Sequence, residues 1–511
     1  MARPSDRTEG LDRPSVAALR ERPTADVLII GGGINGISTF RDLALQGVDV
    51  ALVERGDYLS GASSASSHMI HGGVRYLENG EFRLVNESVH ERNRLLKNAR
   101  HYVRPLRTTI PIYSTFSGVL SAPLRLLTHA QGKPKERGAL LIKIGLVLYD
   151  SFSRDGGSVP RHQFHGRRRS LAELPQLNHS LKYTATYFDA AVHEPERLGL
   201  DVLRDGIDAG AEFGRARAAN YLEAIGARDG GVALRDRETG RDFVFSARVV
   251  INASGPWTDL TNAELGDPTE LMGGTKGSHI VLENDELLRA CDDRELFFEN
   301  EDGRIVLIQP LKGRVMVGTT DLDADPSKPA ICTEEEVDYF FGLVAHVFPH
   351  IAVDRSQIVY RFSGIRPLPR HDDLQPGFVS RDYNVVAGSL PGAPNTVFLN
   401  LVGGKWTTFR ALGERLSNDA LGHLGVQRVM STTDLAIGGG VDFPTDDAAR
   451  AEWIRVHRGA QSPERAAALL DRYGTRASDV ITAIESGADA PLGLDPTFST
   501  GEVSYLARSE S

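Results

Sequence analysis

The stretch ADVLIIGGGINGISTFRDLALQGVDVALVER, from Ala25 to Arg55, constrains the chain more than any other. Val27 to Ile30 is a short, wholly apolar run of the kind found in buried parallel strands. Asn35 to Gln46 carries helical periodicity and stops at Gly47, and Val48 to Val53 reads as a second strand. The segment is therefore a strand–helix–strand unit. Gly31, Gly33 and Gly36 form GxGxxG at the first strand-to-helix joint, with Asn35 inside the same turn, and that context gives the pattern its weight. The glycines permit a tight turn and let the backbone approach a pyrophosphate, while the helix start offers free N–H donors and a partial positive charge. Glu54 closes the second strand, where a carboxylate accepts ribose hydroxyls and repels the 2′-phosphate of NADP.

The following segments decide which dinucleotide fits. A nicotinamide enzyme would continue into regular strand–helix units. Here Ser60 to Ser67 is built only from Ser, Gly and Ala and carries Ser63, Ser64, Ser66 and Ser67. Such a run lets backbone amides and hydroxyls lie along an extended cofactor without steric conflict. VVINASGPWTD supplies a strand ending in small residues and Gly255. NLVGGKWTTFR supplies another glycine turn before a helix, with Gly404, Lys405, Thr407 and Thr408. Three such turns suit a long dinucleotide laid across one domain, so FAD fits better than NAD.

The chain has 511 residues, enough for two to four domains at about 150 residues each. Its net charge of −10 argues against bulk nucleic-acid binding. Cys291 and Cys332 are the only cysteines and show no ligand spacing, which fits a reducing compartment and no metal site. Residues 1–23 read as a charged, mobile tail without a secretory h-region. No run approaches the apolar length of a membrane span. Further along, Glu78 to Arg100 and Val192 to Gly210 read as helices, and Arg161 to Arg169 as a basic loop. Lys276 to Arg361 is strand-rich around a helix at Glu334 to Pro349, and an Ala-rich helical region follows a boundary near Gly438 to Pro444.

Seven motifs together resemble the respiratory, FAD-dependent glycerol-3-phosphate dehydrogenase family, within the D-amino-acid-oxidase-like flavoproteins. They are IIGGGINGI, SSASSHMIHGGVRYLENGEFRLV, NASGPWTD, KGSHIVL, GTTD, SGIRPLPR and GGKWTTFR, in the family's order between Asp26 and Leu421. The resemblance implies an α/β fold with an added α domain: a Rossmann-like FAD-binding domain, an antiparallel-sheet substrate domain and a C-terminal helical domain. The expected division assigns about 24–110, 190–270 and 362–425 to the FAD-binding part, and about 111–189 and 271–361 to the substrate part. Residues 426–511 form the helical domain, which in the family continues beyond the counterpart of EVSYLARSES and is expected to be shortened here.

The implied reaction is oxidation of sn-glycerol 3-phosphate by hydride transfer from C2 to flavin N5, with electrons passed to a membrane quinone. A dianionic phosphate needs cationic forks, and the resemblance implies Arg75 and Arg366. Tyr76 either donates to the substrate or packs. Lys405 would hold substrate or steady reduced flavin, and Thr408 would donate a hydroxyl. His71 and His279 are both candidate bases, His71 preferred for its place four residues before Arg75. Ser117 to Ser153 combines apolar runs with Arg125, Lys133, Lys135, Arg137 and Lys143, which reads either as an interfacial segment on an anionic leaflet or as a buried helix with solvated flanks. The implied location is the cytoplasmic face of the cell membrane, peripherally bound, and a homodimer is compatible with it. The rival readings are another superfamily oxidase acting on an amine or 2-hydroxy acid, an oxygen-using glycerol-3-phosphate oxidase, and a non-catalytic flavin protein.

Overall fold

Two sheets organise the molecule. The computed structural model describes residues 13–74, 81–115, 139–152, 159–300, 304–370, 383–493, 495 and 497–510. The first sheet runs Asn384–Gly388, Val397–Val402, Asp242–Asn252, Thr24–Ile30, Val50–Val53, Ala216–Ala219, and along this row every pairing is parallel except the first. Its strands are apolar on both faces because helices cover one face and an apolar cluster the other. On one side Ile34–Leu45 packs against Pro195–Gly210 and Phe409–Leu424 through Phe40, Leu43, Val202 and Leu416, all buried. On the other, Leu28, Ala51 and Val250 join Phe245 of a hairpin formed by Gly231–Asp236 and Asp242–Asn252.

Among the described residues the second sheet has ten strands, with Met272–Leu282 near one end and Tyr183–Val192 near the other. It is antiparallel apart from the short parallel pairing of Glu295 and Leu296 with Thr108 and Thr109. Glu334–Val347 covers its apolar face, burying Val337, Phe340 and Val344 against Ile280, Ile308 and Val317. This helix starts at a capping box, in which Thr333 and Glu336 satisfy each other's backbone amides.

Several expectations need correction. Residues Pro14–Glu21 of the expected tail form a helix, and Val16 and Leu19 are buried. Its apolar residues, Val16 to Leu19, form one short run, too short to register as periodicity. Arg161 to Arg169 is no loop: Gln163–Gly166 pairs with Tyr183–Val192, and Arg167–Glu173 is a helix. The basic side chains project to solvent and hide the pairing from a composition-based reading. Met69–Ile70, Val103–Ile112 and Ile358–Pro369 join the second sheet, so it takes in strands from stretches assigned wholly or partly to the FAD-binding part. Alternation along a strand does not say which sheet will receive it. The C-terminal helices Asp447–His457, Pro463–Tyr473, Ala477–Glu485 and Thr500–Ser509 pack around Leu469, Tyr473, Val480 and Ile484.

Candidate active site

One cavity of about 840 Å³ opens between the two sheets, at the carboxyl ends of the parallel strands. Ligands of open α/β sheets bind in this location. Its floor is the glycine turn. Gly31 has φ +114°, a backbone that favours glycine, and a Cβ there would lie 2.6 Å from the Ala253 carbonyl oxygen. Gly36 lies behind the cavity wall, where a Cβ would sit 2.0 Å from the Gly31 oxygen. One Glu54 oxygen holds this turn, accepting from the Gly32 amide at 2.7 Å, and the other accepts from the Gly56 amide at 2.8 Å. Each keeps further lone-pair capacity toward the cavity. Ser63 Oγ accepts from the Ile34 amide at the helix start (3.0 Å), and Trp406 Nε1 donates to the Ser63 carbonyl.

Of the expected residues, Gly31, Gly33, Asn35, Glu54, Ser63, Ser66, Ser67, His71, Gly255, His279, Arg366, Gly404 and Lys405 line this one cavity. Ser64 turns away from it to donate to the Ser60 and Gly61 carbonyls. Thr407 and Thr408 are buried behind the wall. Arg75 and Tyr76 lie outside the described residues. Trp257 and Trp406 also line the cavity and escaped the sequence reading, although each stands two residues after a glycine in a quoted motif. Arg55 lies over the Trp257 ring at 5.1 Å.

Cations and imidazoles also line the cavity. Arg366 forks onto Asp321 through Nη1, and through Nη2 onto the Thr319 hydroxyl (3.0 Å) and the Thr320 carbonyl (2.8 Å). Gly277 makes room for it, since a Cβ there would lie 2.3 Å from Arg366 Nη2. His279 is fully buried, stacks on Phe362 at 4.7 Å and shares a 2.8 Å hydrogen bond between Nε2 and Ser67 Oγ. Burial first, then the Arg366 and His68 charges, push its pKa down to about 3, so it is neutral at physiological pH. Lys405 Nζ donates to Ser88 Oγ at 2.6 Å. Behind the sheet, Glu336 accepts from Lys276, Ser278 and Thr320, and bonds from Lys276 and Thr320 outweigh desolvation and keep its carboxyl below the usual range.

Buried polar atoms at this wall test whether a dinucleotide fits. Asn35 Oδ1 and Thr408 Oγ1 are buried without a partner among the described residues, and Asn35 borders the cavity. Such orphaned groups are costly unless a bound molecule satisfies them. With the glycine turn and helix start beside them, the donors and acceptors match an FAD.

The family model described as FAD dependent oxidoreductase matches residues 26–418. The chain belongs to that family. Within it, the chain groups with the FAD-dependent glycerol-3-phosphate dehydrogenases. A glycerol-3-phosphate dehydrogenase of Synechocystis is 32% identical over 497 residues, spanning 93% of this chain and 83% of that protein. A D-erythritol 1-phosphate dehydrogenase of Brucella abortus is also 32% identical, over 96% of this chain and 92% of its own. The solved glycerol-3-phosphate dehydrogenase from Bacillus halodurans complexed with FAD shares the fold, with a TM-score of 0.68 at 22% identity over 92% of this chain and 81% of that one. FAD is thus the cofactor of this oxidoreductase, and the Rossmann-like expectation for the first sheet holds.

Proposed function

We propose that this flavoenzyme oxidises sn-glycerol 3-phosphate to dihydroxyacetone phosphate and delivers the electrons to a membrane quinone. The observation that carries the reading is that Arg366, Lys405, His71 and His279 all line the FAD cavity. Bound FAD supplies the two-electron acceptor for the C2 hydride. The protein must hold the phosphate, orient C2 and take the hydroxyl proton. The Arg366 guanidinium, anchored by Asp321 and Thr319, presents a fixed positive charge to the phosphate, and Arg75 is its proposed companion on motif grounds. A neutral imidazole receives the proton. His279 is a weak sink at about 3, far from the pH at which general bases work best, which favours His71. Glu54 and the helix start are proposed to hold the adenosine ribose and the pyrophosphate.

A second reading, a longer polyol phosphate, draws support from the Brucella relative. Turnover of glycerol 3-phosphate, D-erythritol 1-phosphate, glycine and a 2-hydroxy acid, each with a quinone analogue and with oxygen, tests both. Preference for an unphosphorylated substrate, or stoichiometric hydrogen peroxide, would remove the substrate or the acceptor part respectively.

The membrane reading rests on one helix. Ala139–Phe152 buries Leu146 and Tyr149 and exposes Leu140, Ile144, Val147 and Leu148 along its outer side. Lys143 is exposed among them, and Arg161, Arg167, Arg168 and Arg169 are exposed on the adjoining segment. An apolar row fringed by cations suits an anionic leaflet. Among the described residues no helix is long and apolar enough to cross a membrane. Arg125, Lys133, Lys135 and Arg137 of the expected interfacial segment lie outside the described residues.

A further inference from the structure

The peptide between His71 and Gly72 is held from two sides by side chains to which nothing above gives a role in turnover. On one side Thr407 Oγ1 lies 3.2 Å from both the amide nitrogen and the carbonyl oxygen of His71, accepting from the first and donating to the second. On the other, the Gly72 amide donates to Tyr149 Oη at 3.1 Å and to Asp189 Oδ1 at 3.0 Å. Tyr149 in turn donates to Asp189, and Arg92 Nη1 donates to Tyr149 Oη (2.9 Å), Asp189 Oδ1 (3.0 Å) and the Phe188 carbonyl (3.0 Å). Arg92, Tyr149 and Asp189 are each at most 1% exposed and come from three separate elements.

This is expensive machinery for one backbone amide. A buried ion pair is weak evidence for stability, since desolvation offsets its attraction. A hydroxyl saturated by two donors and one acceptor also tolerates almost no displacement. Burial, then the Asp189 charge, hold the Tyr149 phenol protonated, so it stays a donor to the carboxylate. The fit extends to Gly72, where a Cβ would lie 2.2 Å from Tyr149 Oη and 2.6 Å from Val89 Cγ2.

We propose that Thr407 and the Tyr149–Asp189–Arg92 cluster are positioning residues that set the place of His71 in the cavity, a role resting on the reading that His71 takes the substrate proton. A hydrogen-bond network that fixes three backbone groups of a two-residue stretch dictates where the His71 side chain begins. An error of about 1 Å at such a group costs roughly a hundredfold in rate.

The test uses the flavin-loaded full chain in anaerobic stopped flow, reading the rate constant of flavin reduction at saturating glycerol 3-phosphate separately from the substrate Kd. Thr407→Val keeps shape and loses both bonds to His71, Thr407→Ser keeps them, Tyr149→Phe loses the bond to Gly72, and His71→Asn removes the group being placed. Thr407→Val and Tyr149→Phe should each slow reduction about tenfold or more, with flavin content, Kd and the rate of reduction by dithionite unchanged. Thr407→Ser should restore the rate. A merely structural role would lower the melting temperature and leave the rate of the folded fraction intact. Wild-type reduction rates in Thr407→Val and Tyr149→Phe beside a slow His71→Asn would overturn this inference alone. A His71→Asn enzyme as fast as wild type would overturn it together with the role of His71. A wild type that glycerol 3-phosphate fails to reduce would overturn the substrate reading first and this inference with it.

Discussion

Acid should destabilise this protein in good part through His279, and the size of that contribution follows from where the imidazole sits. In an unfolded chain a histidine takes up its proton near 6.5, whereas in the fold His279 does so only at about 3, chiefly because burial penalises the charged ring and secondarily because Arg366 and His68 repel it. The folded-state value is depressed, so between those two values the unfolded state holds one more proton. Stability attributable to His279 is complete above 6.5 and is lost as the pH falls toward 3. One unit is worth about 1.4 kcal/mol, so the whole span amounts to about 5 kcal/mol and the step from 6.5 to 5 to about 2 kcal/mol. His279→Gln removes the titration. It also removes the stack on Phe362, a pH-independent loss of about 1 kcal/mol. His68, whose pKa burial lowers to about 4, loses stability in the same direction but is present in both proteins. Urea unfolding of the flavin-loaded proteins, followed by flavin fluorescence at pH 7.5, 6 and 5, should show the variant weaker at pH 7.5. At pH 5 the difference should have shifted by about 2 kcal/mol in the variant's favour, so that the order of stability reverses. Stability curves that stay parallel across the three pH values would refute the reasoning.

Three further outcomes follow from the same geometry. Gly36→Ala should purify without visible flavin absorbance, because its new methyl would sit 2.0 Å from the Gly31 oxygen and push the turn out of shape. Arg366→Ala should keep its flavin and raise KM for glycerol 3-phosphate about 10- to 150-fold, the worth of one charged hydrogen-bonding group; an unchanged KM would remove Arg366 from phosphate binding. Replacing Ile144 and Val147 together by Glu should lower co-sedimentation with anionic vesicles several-fold at unchanged turnover of a soluble acceptor, since both side chains are about half exposed on the outer face of their helix.

The glycine turn, the serine-rich run and the turn before Phe409–Leu424 were legible because each is a local device: small residues at fixed offsets between a strand and a helix. They converge on one cavity as the sequence reading expected. Sheet membership was not legible. Ile358–Pro369 carries Arg366 and pairs along nearly its whole length with Met272–Leu282, bringing Arg366 beside Gly277 across a separation that alternation does not encode. The Tyr149–Asp189–Arg92 cluster was invisible for the same reason, its members being ordinary residues of a helix, a strand and another helix until they meet at Gly72. Thr407 was read as a cofactor contact because of its motif, whereas its hydroxyl is engaged with the His71 backbone. Arg161 to Arg169 misled because solvated arginines mask a short strand.

Anaerobic addition of glycerol 3-phosphate to the purified yellow protein tests the central claim most directly. The account predicts that the visible flavin absorbance bleaches within the mixing experiment and that dihydroxyacetone phosphate appears in equal amount. A flavin that stays oxidised with glycerol 3-phosphate, yet is bleached by dithionite, would contradict it.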